Sequence, residues 1–298
     1  MAAGMTGLGK RDKGKSAVRT CSGSKKDEEE KGEEMGVLKI GGVDCRSLAE
    51  QFGTPLYVYD EGRIAEQARA AVENFRSEKF ETEVAYASKA FSSKALFRLL
   101  SGEGLGLDVV SGGELYGAME AGVDMKRVYF HGNNKSNEEI EMGLEAGVGY
   151  FVVDNVMEVD RLVSAAGRAG KKAKALLRIN PGISAHTHEY IMTSKPDSKF
   201  GIYIENRAQI EQVMDILDAD ENIELAGFHS HIGSQIVEAE SFEKALGTMI
   251  GFLADIKASR GVDGFELSIG GGFGIKYVEE DRPVPLGQMC ASLVRYAE

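Results

Sequence analysis

Seven short apolar runs recur along this chain at steps of roughly 20–25 residues, each closed by polar or glycine residues. They are EVAYASKA (83–90), GLDVVS (106–111), RVYFHG (127–132), GYFVVD (149–154), ALLRINP (175–181), LAGFHSHIG (225–233) and FELSIGGG (265–272). Amphipathic stretches such as SSKALFRLLSGEG, GELYGAMEAG and SNEEIEMGLEAG lie between them, with glycine at their ends, where a helix C-cap needs left-handed backbone. Buried strands alternating with helices predict a parallel sheet with crossover helices. Polar residues at each strand end favour a (β/α)8 TIM-type barrel, incomplete here, with about seven of its eight strands. A doubly wound sheet is the rival, but it would place its glycine-rich loop after the first strand, and here the triglycine follows the seventh. A further β-rich run, TPLYVYD (54–60), precedes the helical pattern EGRIAEQARAAVENFRS.

The 298 residues are 43% hydrophobic, enough for one large barrel domain. A formal net charge of -12 argues against nucleic acid as a partner. No apolar run approaches the ~20 residues of a spanning helix, so no membrane is expected. Cys21, Cys45 and Cys290 are far apart and form no CxxC pair, which suits a reducing cytoplasm. Residues 1–35 are polar and charge-blocked, basic first and acidic later, and are expected to be a disordered tail; the barrel domain would occupy 36–298.

Side chains that could do chemistry gather at the predicted strand ends. Lys89 closes the first barrel strand, where a partly desolvated mouth would free its amine for a Schiff base. His229 and His231 are two apart on a strand and so share a face, as metal ligands or as an imidazole against a planar cofactor with Ser234 nearby. A metal site would enlist His131, or Lys89 if carbamylated. Arg178 and Asp108 each interrupt an apolar run, so each needs a partner: each other, a strand neighbour or a phosphate. Gly270, Gly271 and Gly272 sit where barrels commonly hold phosphate, and would let backbone N–H groups approach it. Between the fifth strand and its helix lies a long excursion (184–202) with His186, His188 and Glu189, expected to act as a lid or interface.

Taken in order, YASKA, GLDVVSGGEL, HGNNKS, LRINPG…HTHEYIMT…DSKFGI, HSHIGSQI and IGGGFGI resemble the diaminopimelate decarboxylase family. That family belongs to the alanine-racemase-fold group of pyridoxal-phosphate decarboxylases, and the resemblance covers about residues 37–280. It implies that Lys89 carries pyridoxal phosphate, that His231 stacks on its ring, and that Ser234 and Gly270–Gly272 hold its phosphate. Arg178 and Asp108 would belong to the network around the cofactor. The implied reaction is loss of carbon dioxide from meso-diaminopimelate to give L-lysine, in a cytoplasmic homodimer with shared sites.

The chain departs from the family in lacking the EPGR-type motif of the eighth strand and the C-terminal β-domain. The expectation is therefore an N-terminal portion of the enzyme, inactive alone. Two alternatives stay open within pyridoxal-phosphate chemistry: a non-catalytic single-domain binding protein, and a decarboxylase of ornithine or arginine type. A metal-dependent hydrolase on the same barrel is a third.

Overall fold

The computed structural model describes residues 36–183, 199–262 and 264–298. The chain divides into two compact units, one up to Ile64 and one from Ala65 to Glu298. In the first, β1 (Lys39–Ile40) pairs antiparallel with β2 (Val43–Asp44). Helix α1 (Cys45–Phe52) follows at once because the Asp44 side chain accepts from the Arg46 amide and caps it. The expected strand at TPLYVYD does not form: residues 54–60 join no sheet, and Tyr57 is 86% exposed. Its β-branched and aromatic residues favour a pleated surface only where a neighbouring strand supplies one.

The second unit starts within α2 (Glu61–Asn74), whose Ala65, Ala68 and Ala71 are buried. Its frame is β3 (Ala85–Ala87), β4 (Gly106–Val109), β5 (Val128–Phe130), β6 (Tyr150–Val153), β7 (Ala173–Asn180), β9 (Ile223–His229) and β10 (Glu266–Ser268), with β8 (Ile202–Tyr203) a short parallel addition to β7. These seven strands are the seven apolar runs, all parallel and adjacent in chain order. A doubly wound sheet would reverse its order at a switch point, and this one never does. Helices α3 (Lys94–Gly102), α4 (Gly112–Ala121), α5 (Asn137–Ala146), α6 (Val156–Ala169), α7 (Arg207–Asp218) and α8 (Ala239–Arg260) connect them, and α9 (Leu286–Ala297) ends the chain. The sequence states the limits of α5 plainly. Ser136 and Glu139 form a capping box at its start, and Gly147 leaves it at φ 70°.

Side-chain alternation sorts each strand. Leu107, Val109, Val128, Phe130, Phe151, Val153, Ala175, Leu177 and Phe228 point outward into the main core with the helices. Val152, Leu176 and Ala226 point inward and form a separate apolar cluster with Tyr129 and Tyr150. The sheet curls around that cluster. His131, just past β5, and His229 of β9 lie with ring centroids 4.5 Å apart, though β6 and β7 intervene. In a flat sheet, strands three places apart are separated by roughly 14 Å. Tyr150 of β6 likewise bonds Glu266 of β10 across the interior. This is a barrel wall of seven strands, and among the described residues β3 and β10 do not pair to close it.

One irregularity sets the aim of the site. Ala175 pairs with Leu225 but Leu176 pairs with Gly227, so β9 carries one extra residue. Ala226 therefore faces the interior while Phe228, of the same parity, faces the outer core. The bulge reverses the alternation and turns His229 inward, beside Arg178. A Cβ at Gly227 would collide with the Glu266 backbone of β10. Gly227→Ala is expected to push β10 off β9 and cost about 1–3 kcal/mol, read from the midpoint of urea unfolding.

Candidate active site

The carboxyl ends of the strands bring the polar inward residues into one basin above the apolar plug. β3 runs directly into a 3₁₀ turn, Ser88–Ala90, which presents Lys89. Ser88 is fully buried, and its hydroxyl lies 2.8 Å from the Asp108 carbonyl and 2.5 Å from Glu114 Oε2, its one proton shared between the two acceptors, which fixes the turn against β4. The same Glu114 oxygen accepts from the Val110 amide at 2.8 Å. Lys89 itself is exposed, not partly desolvated as its strand-end place suggested. The turn swings it off the strand's inner row, out of the apolar surroundings that a continued strand would provide.

Asp108 stands on the inner row of β4. Its Oδ2 lies 3.7 Å from His131 Nε2, and its Oδ1 is buried with no hydrogen-bond partner. Burial drives this carboxyl up to about 7, against the pull of Lys89 and Arg178. His131 rests edge-on against His229, and His229 Nδ1 is 2.8 Å from Ser268 Oγ. Burial and the nearby Arg178 hold both imidazoles well below their usual range. His231, just past the end of β9, is lowered to about 3 by burial and by the charges of Arg178 and Lys89. All three are therefore neutral rings at physiological pH.

Arg178, on the inner row of β7, does not pair first with Asp108. Its Nη1 lies 3.8 Å from Asp154 Oδ2, and its guanidinium sits 4.8 Å over the Phe200 ring. Asp108 acts on it more weakly, through space.

The triglycine loop packs directly on the 230–234 segment. A Cβ at Gly270 would lie 2.5 Å from the Ser230 carbonyl and 3.0 Å from His231 Nδ1, and one at Gly272 would collide with the Gly233 carbonyl. A Cβ at Gly271 would meet nothing within 4 Å. So two of the glycines are required by close backbone approach, and the middle one borders open space beside His231 and the exposed Ser234. Lys89, Asp108, Arg178 and His231 sense one another's charge, and His231 abuts Gly270. The sequence-predicted residues thus converge. An open-sided glycine loop against a neutral His231 ring, an exposed amine whose charge His231 and Asp108 sense, and an orphaned carboxyl oxygen fit a flat, phosphorylated aldehyde.

The sequence reading missed four participants: Ser88, Glu114, Lys135 and Glu158. Lys135 and Glu158 form a fully buried ion pair, Nζ to Oε1 2.5 Å, behind Asp154. Only the polar residues inside HGNNKS and after GYFVVDN hinted at them. His186, His188 and Glu189 lie outside the described residues. No group of three or more His, Cys, Asp or Glu suited to a metal occurs among the described residues. Nor is any described helix long and apolar enough to cross a membrane. Cys45 and Cys290 are free thiols.

Because Asp108 holds its proton to higher pH when folded than when unfolded, it favours the fold at low pH. That contribution fades as pH rises from about 4 through about 7. Asp108→Asn is expected to stabilise the ligand-free chain against wild type at pH 8 and not at pH 4. Melting temperatures at both pH values check it.

A family model for the pyridoxal binding domain of pyridoxal-dependent decarboxylases matches residues 61–298. The diaminopimelate decarboxylase of Halalkalibacterium halodurans is 48% identical over 260 residues, 87% of this chain and 59% of that protein. That of Bacillus subtilis is 48% identical over 249 residues, 84% of this chain and 56% of its own length. Among solved structures, the diaminopimelate decarboxylase of M. jannaschii is similar with a TM-score of 0.79 and 35% identity, over 86% of this chain and 59% of that one. A lysine/ornithine decarboxylase from Vibrio vulnificus reaches a TM-score of 0.67 at 25% identity, over 85% and 62%. The chain thus spans less than two thirds of the length of these relatives, and on the family match, which covers most of it, it belongs to the pyridoxal-dependent decarboxylases, as their pyridoxal binding domain.

Proposed function

We propose that this chain is the cofactor-binding portion of a diaminopimelate decarboxylase, converting meso-2,6-diaminopimelate to L-lysine and carbon dioxide. The observation that carries the reading is the convergence of Lys89, His231 and the open side of Gly271 in one basin, on a chain 48% identical to such enzymes. A related enzyme from Helicobacter pylori has been solved in complex with L-lysine, the product this reading requires. Pyridoxal phosphate, when bound, supplies an electron sink for the bond to the departing carboxylate.

The chain's own residues have distinct tasks. Lys89 would offer the amine that holds the cofactor's aldehyde, and its exposure leaves that amine accessible. His231, neutral and held by its contact with Gly270, presents a flat face to the ring. Ser234 and the amides of Gly270–Gly272 receive the phosphate. Arg178, paired with Asp154, adds positive charge without a mobile proton. Asp108 near neutrality can hold or release a proton beside His131. The homodimer and the cytoplasmic setting implied by the resemblance belong to the same reading, and sedimentation of the full-length protein tests the first.

Borohydride treatment with pyridoxal phosphate is expected to fix the cofactor on Lys89, located by peptide mass spectrometry, and Lys89→Ala should lose the label. Label elsewhere only would remove the reading. Ser234→Ala should weaken pyridoxal phosphate binding by about 10–100-fold, the loss of one hydrogen bond to a charged group, measured by fluorescence titration. In the full-length protein, release of carbon dioxide from meso-diaminopimelate but not from ornithine separates this function from the ornithine-type alternative.

A further inference from the structure

We propose that Lys135 and Glu158 are positioning residues for Arg178, acting through Asp154 as a buried relay that runs from behind the sheet to the cofactor basin. The inference rests on the functional reading above only for what Arg178 serves.

The relay is continuous on named atoms. Lys135 makes its polar contacts inside the protein: an ion pair with Glu158 Oε1 (2.5 Å) and hydrogen bonds to the Val152 carbonyl (2.7 Å) and the Gly132 carbonyl (3.0 Å). Glu158 Oε2 accepts from the Asp154 amide at 2.8 Å, holding the turn between β6 and α6. That turn aims the Asp154 side chain, whose Oδ2 faces Arg178 Nη1 at 3.8 Å and accepts from the Gly201 amide at 3.3 Å. Gly201 and Phe200 close the other side. Phe200 lies under the guanidinium, and a Cβ at Gly201 would come within 3.0 Å of Arg178 Cγ.

The charges give the relay its sense. A cation stands at each end of the path and the two carboxylates lie between them, so each carboxylate has a cation beside it and the two charges of each sign balance. Burial pushes Asp154 and Glu158 above the usual carboxylate range. Arg178 and then Lys135 pull Asp154 back, so Lys135 reaches Asp154 as well as its own partner. A surface lysine would do none of this. A buried pair held at such cost is more than packing requires, since apolar residues of similar volume often serve stability as well or better.

The test uses the double variant Lys135→Met/Glu158→Leu, which removes both charges together and so avoids leaving one buried alone. Leu162→Ala, a truncation on the same helix facing the outer core, serves as a control for destabilisation. Two quantities are read. The first is hydrogen exchange at the Arg178 side-chain Nε–H by NMR in the ligand-free chain, its signal assigned by its loss in Arg178→Lys. The second is affinity for pyridoxal phosphate. The double variant is expected to raise Arg178 exchange at least tenfold and weaken the cofactor at least tenfold, while Leu162→Ala changes both less than twofold. Should the double variant not fold, Glu158→Gln, which keeps the volume, is read in the same way. Arg178 exchange within twofold of wild type in the folded variant, or an equal rise in Leu162→Ala, overturns the relay. If wild type binds no pyridoxal phosphate, the functional reading falls, while the exchange measurement still decides the relay.

Discussion

The inner face of this sheet must bury charge and ring nitrogens a few ångströms from an apolar plug, and the rest of the site is arranged around that cost. Val152, Leu176 and Ala226 fill the interior at mid-height. Polar groups are confined to the two rims. At the lower rim Tyr129 donates to Glu83 and Tyr150 to Glu266, with the two tyrosine rings stacked at 4.8 Å. At the upper rim stand Asp108, His131, Asp154, Arg178, His229 and His231. An unpaired buried charge costs several kcal/mol, so each upper-rim ion has a counter-ion or has shed its charge. Arg178 faces Asp154, the imidazoles are neutral, and Asp108 is poised near neutrality. The plug matters because it keeps water from reaching these groups from below, and that dryness is what shifts them.

The positive charge of the basin is therefore sparse and fixed. Arg178 is anchored, and Lys89 is, among the described residues, the one exposed amine that the rim groups sense. On the proposed function, anion capture would fall to backbone amides at the triglycine loop and to Ser234. This division suits a ligand whose phosphate stays put while its aldehyde end changes partners. An amide cradle is a rigid dipole array that does not titrate, and a lysine on a short turn can move without disturbing it.

How much of this was legible in the sequence depends on how far each feature reaches. The seven strands were, because a parallel strand covered on both faces writes itself as a local apolar run. The convergence of Lys89, Arg178, His231 and Gly270–Gly272 was, because barrels collect the carboxyl ends of their strands. TPLYVYD misled, since β propensity is realised only with a neighbour. The β9 bulge left no mark: His229 and His231 share a face with or without it, and only the opposed packing of Ala226 and Phe228 reveals it. Lys135 reads as a loop lysine between HGNN and Ser136, and Glu158 as an ordinary first-turn acid of α6. Their pairing joins segments more than twenty residues apart, and no period connects them.

The same geometry bears on substrate choice. Telling a diamino acid with two carboxylates from lysine or ornithine takes a group that contacts the far end of the substrate. On the described upper rim the carboxylates are Asp108 and Asp154, one against His131 and the other held by Arg178 and Gly201. Asp154 is already paired, and Asp108, although its Oδ1 has no partner, is held near neutrality by burial and is a weak lure for a distal ammonium. The neutral imidazoles carry no charge to attract a distal carboxylate, and Arg178 already has its counter-ion. On the proposed function, the rim would serve the reacting end of the ligand, in keeping with solved relatives of both substrate classes being similar to this chain. On that reading, selection among substrates would belong to residues off the described rim, and exchanging rim residues between the two classes would alter cofactor handling before it altered preference.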